Sequence, residues 1–503
     1  MFVRRKPNKS GKISVQVIEK IKGKYRVAKT IGSSSVESEV ERLVSLGEEW
    51  IKNYKGTLDI PFNDEERIAD SVLESVDNIL VSGTELLLNK IFSDIGFNVI
   101  KDDIFRWLVY SRISFPASKL KTCDYLLTYH GLEFQVQDLY RYMDRLYNNY
   151  KETIQLISFE HTKRILGGSI NIVFYDVTTL YFEVDQEDDL RKTGFSKEGK
   201  HQNPQVVLGL LVGLEGYPLA YEIFEGNKFE GHTMIPVIET FRKKYSLPAP
   251  IVVADSGLLS KNNVKELLDN GYGFILGARL RTSADKRKER ILALELENGE
   301  SRLLDWEDGL RMVVSYSDRR AKKDRINREK GLKKLEKQLK TGKLKKSHIN
   351  NRGYNKYLKM EGEVKIALDM VRFEQDGKWD GLKGYITNTN LDKDEVIENY
   401  NNLWKIEKAF RITKNEIKVR PVFHYRQRRI EAHISIAFVA YKVYKELERQ
   451  LLEKGSKLSP QKAIEIAKGI YTVEMQLKSS GKKLRKTLLL NESQRKLAKM
   501  FNF

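Results

Sequence analysis

Ile172-Val-Phe-Tyr-Asp-Val-Thr-Thr-Leu-Tyr-Phe182 is the stretch that decides the fold. β-Branched and aromatic residues fill it, which suits a strand, and Asp176 sits in its middle. Burying an unpaired polar group costs roughly 2–7 kcal/mol and a charge costs more, so Asp176 needs a partner. A second run, Ile251-Val-Val-Ala-Asp-Ser-Gly257, reads as a short apolar strand that ends in Asp255. Such an end places a carboxylate at the carboxyl edge of a sheet, where sites form in α/β folds. The alternative is that Asp255 caps the following helix. A third stretch, YNNLWKIEKAFRITK, runs from Tyr400 to Lys414. On one helix Tyr400, Trp404, Glu407, Arg411 and Lys414 fall within an arc of about 80°. A core-packed helix shows an apolar stripe in that position. Here the arc carries a carboxylate with two aromatics and two cations. The alternative is a surface helix with a Glu407–Arg411 ion pair.

Taken together and in this order, the YDVTTLYF strand, VVADSGLLS and Y-x2-L-x3-E-x6-K resemble the DDE transposases of bacterial insertion sequences. More narrowly, the chain is similar to the group marked by Y-x2-R-x3-E-x6-K, whose RNase H-like core carries an insertion before the glutamate. The resemblance covers roughly residues 100–450. It implies an α/β fold with Asp176 mid-strand at the sheet centre and Asp255 beside it at the end of the fourth strand. It further implies that Asp176 bridges two metal ions, that Asp255 and Glu407 complete one each, and that Lys414 binds DNA phosphate. The chain departs from the pattern at Leu403, where the family has an arginine that helps to hold the DNA end; that role passes to Arg411 or Lys405.

Three carboxylates without Cys or His make an all-oxygen site for hard cations, Mg²⁺ or Mn²⁺. Two such ions about 4 Å apart activate a water or 3′-hydroxyl and stabilise the leaving oxygen of an in-line displacement. Tyr400 and Trp404 either stack on a base or pack the helix. Lys228 and His232 follow the third strand on a loop that the resemblance places near DNA; a plain turn is the alternative.

Composition agrees with a nucleic-acid partner. The chain has 503 residues and a formal net charge of +20. Arg319 to Lys346 hold fourteen Lys/Arg against three Asp/Glu, so this segment carries more than half of the excess. Leu332, Leu335 and Leu339 recur there at helical spacing, which favours a basic helix over a solvated charge run. The single cysteine, Cys123, excludes an internal disulfide framework and a Cys-cluster metal site. The seven histidines show no zinc-binding spacing. No signal peptide and no bilayer-length apolar segment are expected, which implies a cytoplasmic protein.

Six regions follow. Residues 1–60 read as a β-hairpin about Lys22-Gly23-Lys24 and a helix over 36–55. Residues 61–168 are helical and a possible DNA-binding region, with Arg106, Arg112, Lys119, Lys121, Arg141 and Arg145 as candidates to face DNA. Residues 169–280 are the first part of the core: strands 170–183, 205–214, 217–225, 251–255 and 272–278, and helices 233–245 and 260–269. Residues 281–382 form an inserted subdomain, because the 152 positions from Asp255 to Glu407 far exceed an ordinary connection of about 4–6 residues. It includes strand-like pieces at Met312–Tyr316 and Val364–Phe373. Residues 383–450 return to the core with a helix over 392–415, and residues 451–503 are mostly helical, with a basic stretch from Lys478.

The expected protein is a transposase that cuts the ends of its element and joins 3′ ends to target DNA. Its expected partners are double-stranded DNA, as terminal inverted repeats and target, and a second copy of itself. A structure-specific RNase H-like nuclease and an inactive DNA-binding repressor are the alternatives.

Overall fold

Ile172–Tyr181 (β1) is an interior strand of an eight-stranded sheet, with two strands on one side and five on the other. The computed structural model describes residues 1–54, 64–196, 199–362, 365–477 and 480–503. The expected 60/61 boundary, the end of the 36–55 helix, Val364 and Lys478 lie outside those residues.

After β1 come Gln205–Gly213 (β2), Pro218–Glu225 (β3), helix Met234–Tyr245 (α1), Ile251–Ala254 (β4), helix Lys261–Asp269 (α2) and Gly273–Ala278 (β5). Each lies within two residues of its expected position. Ser301–Asp305 (β6), Arg311–Tyr316 (β7), the helix Asp318–Lys340 (α3) and Leu382–Thr387 (β8) follow. Helices Lys393–Asn401 (α4), Trp404–Asn415 (α5) and Gln427–Glu453 (α6) come next. The strand order is β6-β7-β8-β5-β4-β1-β2-β3. β4 runs parallel to β1 and to β5, and the other pairs are antiparallel. The segment 281–382 therefore adds strands β6 and β7 to the main sheet as well as carrying the basic helix α3.

Alternation along the strands divides the core in two. Val173, Tyr175 and Val177 of β1 belong to one apolar cluster with α1, while Phe174, Leu180 and Phe182 belong to the other. The second cluster also holds Tyr400, Leu403, Ile406 and Phe410. It contains much of α6, which packs against the helices Gly83–Ile95, Asp103–Ser114, Val136–Asn149 and Lys151–Ile165. These helices and Lys119–His130 lie in the region 61–168 expected to be helical, but that region also holds the strand Val76–Val81, and Arg112 and Lys119, expected to face DNA, are buried. No helix among the described residues is long and apolar enough to cross a membrane.

Three expectations need correction. The 392–415 helix is two helices, because the chain turns at Asn402 and Leu403. The piece expected as strand to Phe373 is the strand Lys365–Leu368 followed by the helix Met370–Gly377, whose N-cap is Asp369. The tail contains two strands, Tyr471–Gln476 and Lys483–Leu488, as well as helices.

The chain divides into two compact units, residues 1–77 with 474–485, and residues 78–473 with 486–503. The first contains the expected hairpin, Ile13–Ile21 and Lys24–Ser34, turning at Lys22 and Gly23, both with positive φ. A third strand, Phe2–Pro7, pairs with it, and the helix Glu37–Tyr54 packs on it. The sheet and α1–α6 belong to the second unit.

Candidate active site

β1 and β4 pair in register from Ile172 opposite Ile251 to Tyr175 opposite Ala254. Asp176 and Asp255 are the residues that follow the last pair of this register. Alternation puts both on the sheet face that α4 and α5 cover, since Phe174 and Val253 point into that cluster. Both carboxylates are half-buried. Asp176 Oδ1 accepts the Val177 amide at 2.8 Å. Asp255 Oδ1 accepts the amides of Gly257 (2.8 Å) and Leu258 (3.3 Å). Asp255 therefore fixes the turn at the strand end, and the cap of α2 is Ser260, which accepts from the Asn263 amide at 3.1 Å. Arg279 braces the same turn through the carbonyls of Ser256 (2.8 Å) and Gly257 (3.3 Å).

Glu407 stands in the first turn of α5, where the helix dipole favours a carboxylate. The opposite face of α5 is buried through Ile406, Ala409 and Phe410, and the helix packs on β1. Glu407 and Arg411 are exposed and make no ion pair with each other among the described residues. The single-arc reading of this segment is corrected by the turn at Leu403: Tyr400 is buried on α4, whereas Trp404 is 52% exposed on α5. Tyr400 packs the sheet, as one of its two readings had it, and Trp404 does not. Leu403 is itself buried in the core. Lys405 binds the Leu214 carbonyl (2.9 Å) and Glu215 (3.3 Å), so of the two cations considered in place of the missing arginine, Arg411 is the one with no ion pair among the described residues. Lys414 is half-buried at the end of α5. Lys228 and His232 are exposed beyond the end of edge strand β3, two strands from β1, and His232 packs edge-on against Phe229.

Tyr400 ties these parts together. Its ring lies against Tyr385 of β8, with centroids 4.7 Å apart, and its hydroxyl covers Gly277 of β5. Burial holds the Tyr400 hydroxyl well above the usual phenol range, and the nearby charges of Asp255 and Glu407 add to this. Both carboxylates thus act on one buried group. Sequence reading missed Lys383, which shares its strand face with Tyr385 and holds its ammonium 4.4 Å from the Tyr400 ring centre. Burial and Arg320 push the Lys383 ammonium down to about 8, against the pull of Glu407. The available signal was its alternation with Tyr385 in a strand that returns to the core.

Among the described residues no three acidic, histidine or cysteine side chains are gathered closely enough to enclose a metal ion. The donor chemistry nevertheless suits a hard cation: adjacent carboxylates on one sheet face repel each other unless a cation lies between them.

Residues 167–442, more than half of the chain, match the family model described as the transposase DDE domain. The chain belongs to the DDE transposases. The matched span of this transposase includes Asp176, Asp255, Lys383, Glu407 and Lys414. Among solved structures it is similar to the piggyBac transposase synaptic complex with hairpin DNA, with a TM-score of 0.39, 10% identity, and coverage of 79% of this chain and 78% of that one. A comparison with curated protein sequences gives no match.

Proposed function

We propose that this transposase cuts the ends of its own insertion sequence and joins the 3′ ends to target DNA, with Asp176, Asp255 and Glu407 as its metal-binding carboxylates. The observation that carries the reading is the β1–β4 register, which makes Asp176 and Asp255 neighbours on the face where α5 presents Glu407. We read β3-β2-β1-β4-β5 as an RNase H-like core and β6 to α3 as its insertion, in keeping with the bacterial insertion-sequence group that the sequence resembles.

Two Mg²⁺ or Mn²⁺ ions, when bound, activate the attacking oxygen and stabilise the leaving one. The chain's own residues hold and orient. The strand backbone fixes the two aspartates, the Gly257 and Leu258 amides aim the Asp255 carboxylate, and the buried face of α5 sets the height of Glu407 over the sheet. Exposed Arg411, Trp404 and, along the same helix, Lys414 contact the DNA next to the cut. Lys228 and His232 meet the duplex farther out. Holding two element ends together calls for a homodimer, acting in the cytoplasm on nucleoid DNA.

The test is incubation of the full chain with labelled DNA carrying the terminal repeat, in Mg²⁺, Mn²⁺ or EDTA. Metal-dependent nicking at the repeat boundary is expected for the wild type and loss of at least 100-fold for Asp176→Asn, Asp255→Asn or Glu407→Gln, as for removal of a main electrostatic contributor. Intact cleavage in Asp176→Asn sinks the assignment. Cleavage without strand transfer would indicate a nuclease, and footprinting without cleavage in either metal a repressor.

A further inference from the structure

Lys383 is a cation on the same sheet face as the proposed carboxylates. Its ammonium lies 4.4 Å from the centre of the Tyr400 ring and 5.3 Å from that of Tyr385. Among the described residues it makes no hydrogen bond or ion pair. Two aromatic faces offset part of the desolvation of an ammonium but accept none of its three N–H donors in a conventional hydrogen bond.

Lys383 lines a polar pocket of about 220 Å³ together with Arg281, Arg320, Asp324 and Trp379. Arg281 is engaged by Asp376 at 3.5 Å, and Arg320 by Asp324 at 3.5 Å. The lining holds three cations against one acid, a surplus of two positive charges, and Lys383 is the cation without a carboxylate. Arg320 belongs to the first turn of α3, so the pocket joins the basic helix to the sheet face. Glu407 is near enough to act electrostatically on Lys383. A polar pocket with this surplus of cations suits a small anion with several acceptor oxygens.

We propose that Lys383 and Arg320 form a phosphate-binding pocket that grips one backbone phosphodiester of the DNA beside Glu407. This rests on the transposase reading above for its ligand. In it Lys383 is a binding and positioning residue, and the segment before Glu407 serves to bring Arg320 to the strand that carries Lys383. A duplex whose phosphate enters this pocket is pinned next to the carboxylates, and the rest of the positive face of α3 lies along its backbone.

The experiment is fluorescence anisotropy of a labelled DNA duplex with the full chain in EDTA, over a range of salt concentrations. Nicking in Mg²⁺ is measured separately on the same preparations. Each neutralised phosphate contributes about 0.9 to the log–log salt slope. Lys383→Met is expected to bind more weakly at low salt with a slope shallower by about 0.9, while Lys383→Arg keeps both. Arg320→Gln, at the pocket rim, is expected to move the slope in the same direction and serves if Lys383→Met fails to fold. An unchanged slope in a folded Lys383→Met or Arg320→Gln protein overturns the pocket. If the wild type never nicks while Lys383→Met still flattens the slope, the catalytic reading falls and the pocket stands. If the wild type nicks and neither variant moves the slope, the pocket falls and the reading stands.

Discussion

Gly277→Ala tests how closely α4 must approach the sheet. Gly277 pairs with Tyr385 in the β5–β8 register and lies under the Tyr400 hydroxyl. A Cβ at this position would stand 2.4 Å from Tyr400 Oη, 3.1 Å from its Cζ and 3.0 Å from the Ser256 nitrogen. Comfortable contact begins near 3.5 Å, so the tyrosine has to move by about an ångström. It cannot swing aside, because it is buried against Tyr385. Overpacking of this kind costs about 1–3 kcal/mol, against about 0.5–1 kcal/mol regained when alanine replaces glycine in an extended strand. The net expectation is a loss of about 1–2 kcal/mol in denaturant unfolding. Function should suffer more. Only Asn402 and Leu403 separate α4 from α5, so a displaced Tyr400 shifts Glu407, and an ångström of misplacement costs about 100-fold in rate. Tyr400→Phe removes the atom in closest conflict. The double variant should therefore recover about 1 kcal/mol relative to additivity. Wild-type stability in Gly277→Ala, or strict additivity with Tyr400→Phe, would refute the reasoning.

Further outcomes follow from buried charges. Burial, with Lys442 beside one and Lys119 and Arg112 beside the other, holds the His161 and His424 imidazoles down to about 3, against 6.5 in an unfolded chain. The unfolded chain takes up these protons first. The contribution is thus complete above pH 6.5 and falls as pH drops, by about 1.4 kcal/mol per pH unit for each histidine. Urea titrations from pH 7 to 4 measure it, and a flat profile would count against neutral burial of both. Glu446 is buried and accepts from Tyr217 (3.0 Å), Gln450 (2.9 Å) and Arg449 (2.6 Å). Glu446→Ala strands these donors and should cost about 3–5 kcal/mol, whereas Glu446→Gln, which keeps an acceptor, should cost less. DNA binding should weaken as pH rises through about 8, where Lys383 loses its proton, and Lys383→Arg should abolish that step. The groups facing Lys383 are Arg281, Arg320, Asp324, Tyr385, Tyr400 and Glu407; an identical step in Lys383→Arg would assign the titration elsewhere.

The strands of the site were legible because each is a short run of β-branched and aromatic residues closed by turn residues. Asp176 was conspicuous because a carboxylate in such a run has no apolar explanation. The turn between Tyr400 and Trp404 was hidden for the opposite reason. Asn401, Asn402 and Leu403 neither forbid a helix nor demand a break, and both Asn402 and Leu403 keep helical backbone angles at the turn. Periodicity on a single wheel therefore grouped a buried tyrosine with an exposed tryptophan. The contribution of β6 and β7 to the main sheet was equally invisible, since the pairing of β7 with β8 joins residues about seventy positions apart and depends on tertiary placement. Lys383 fell between the two cases: its strand was expected, but its face acquires meaning only when Tyr400 and α3 are placed on it.

The proposed active face carries charge of both signs. The β1–β4 register puts two carboxylates side by side, an arrangement that on its own opposes folding. The same face holds Lys383, which burial and Arg320 both disfavour as a cation. The Tyr400 ring lies against Lys383, and its hydroxyl lies toward Asp255 and Ser256 at the strand end. Tyr400 thus lies between the acid pair proposed to hold divalent cations and the basic pocket proposed to hold phosphate. Were Lys383 free to reach Asp255, the pair would satisfy itself and bind neither. Replacing Tyr400 by a small residue should therefore strengthen the fold electrostatically while weakening DNA binding, a combination that loss of packing alone does not produce.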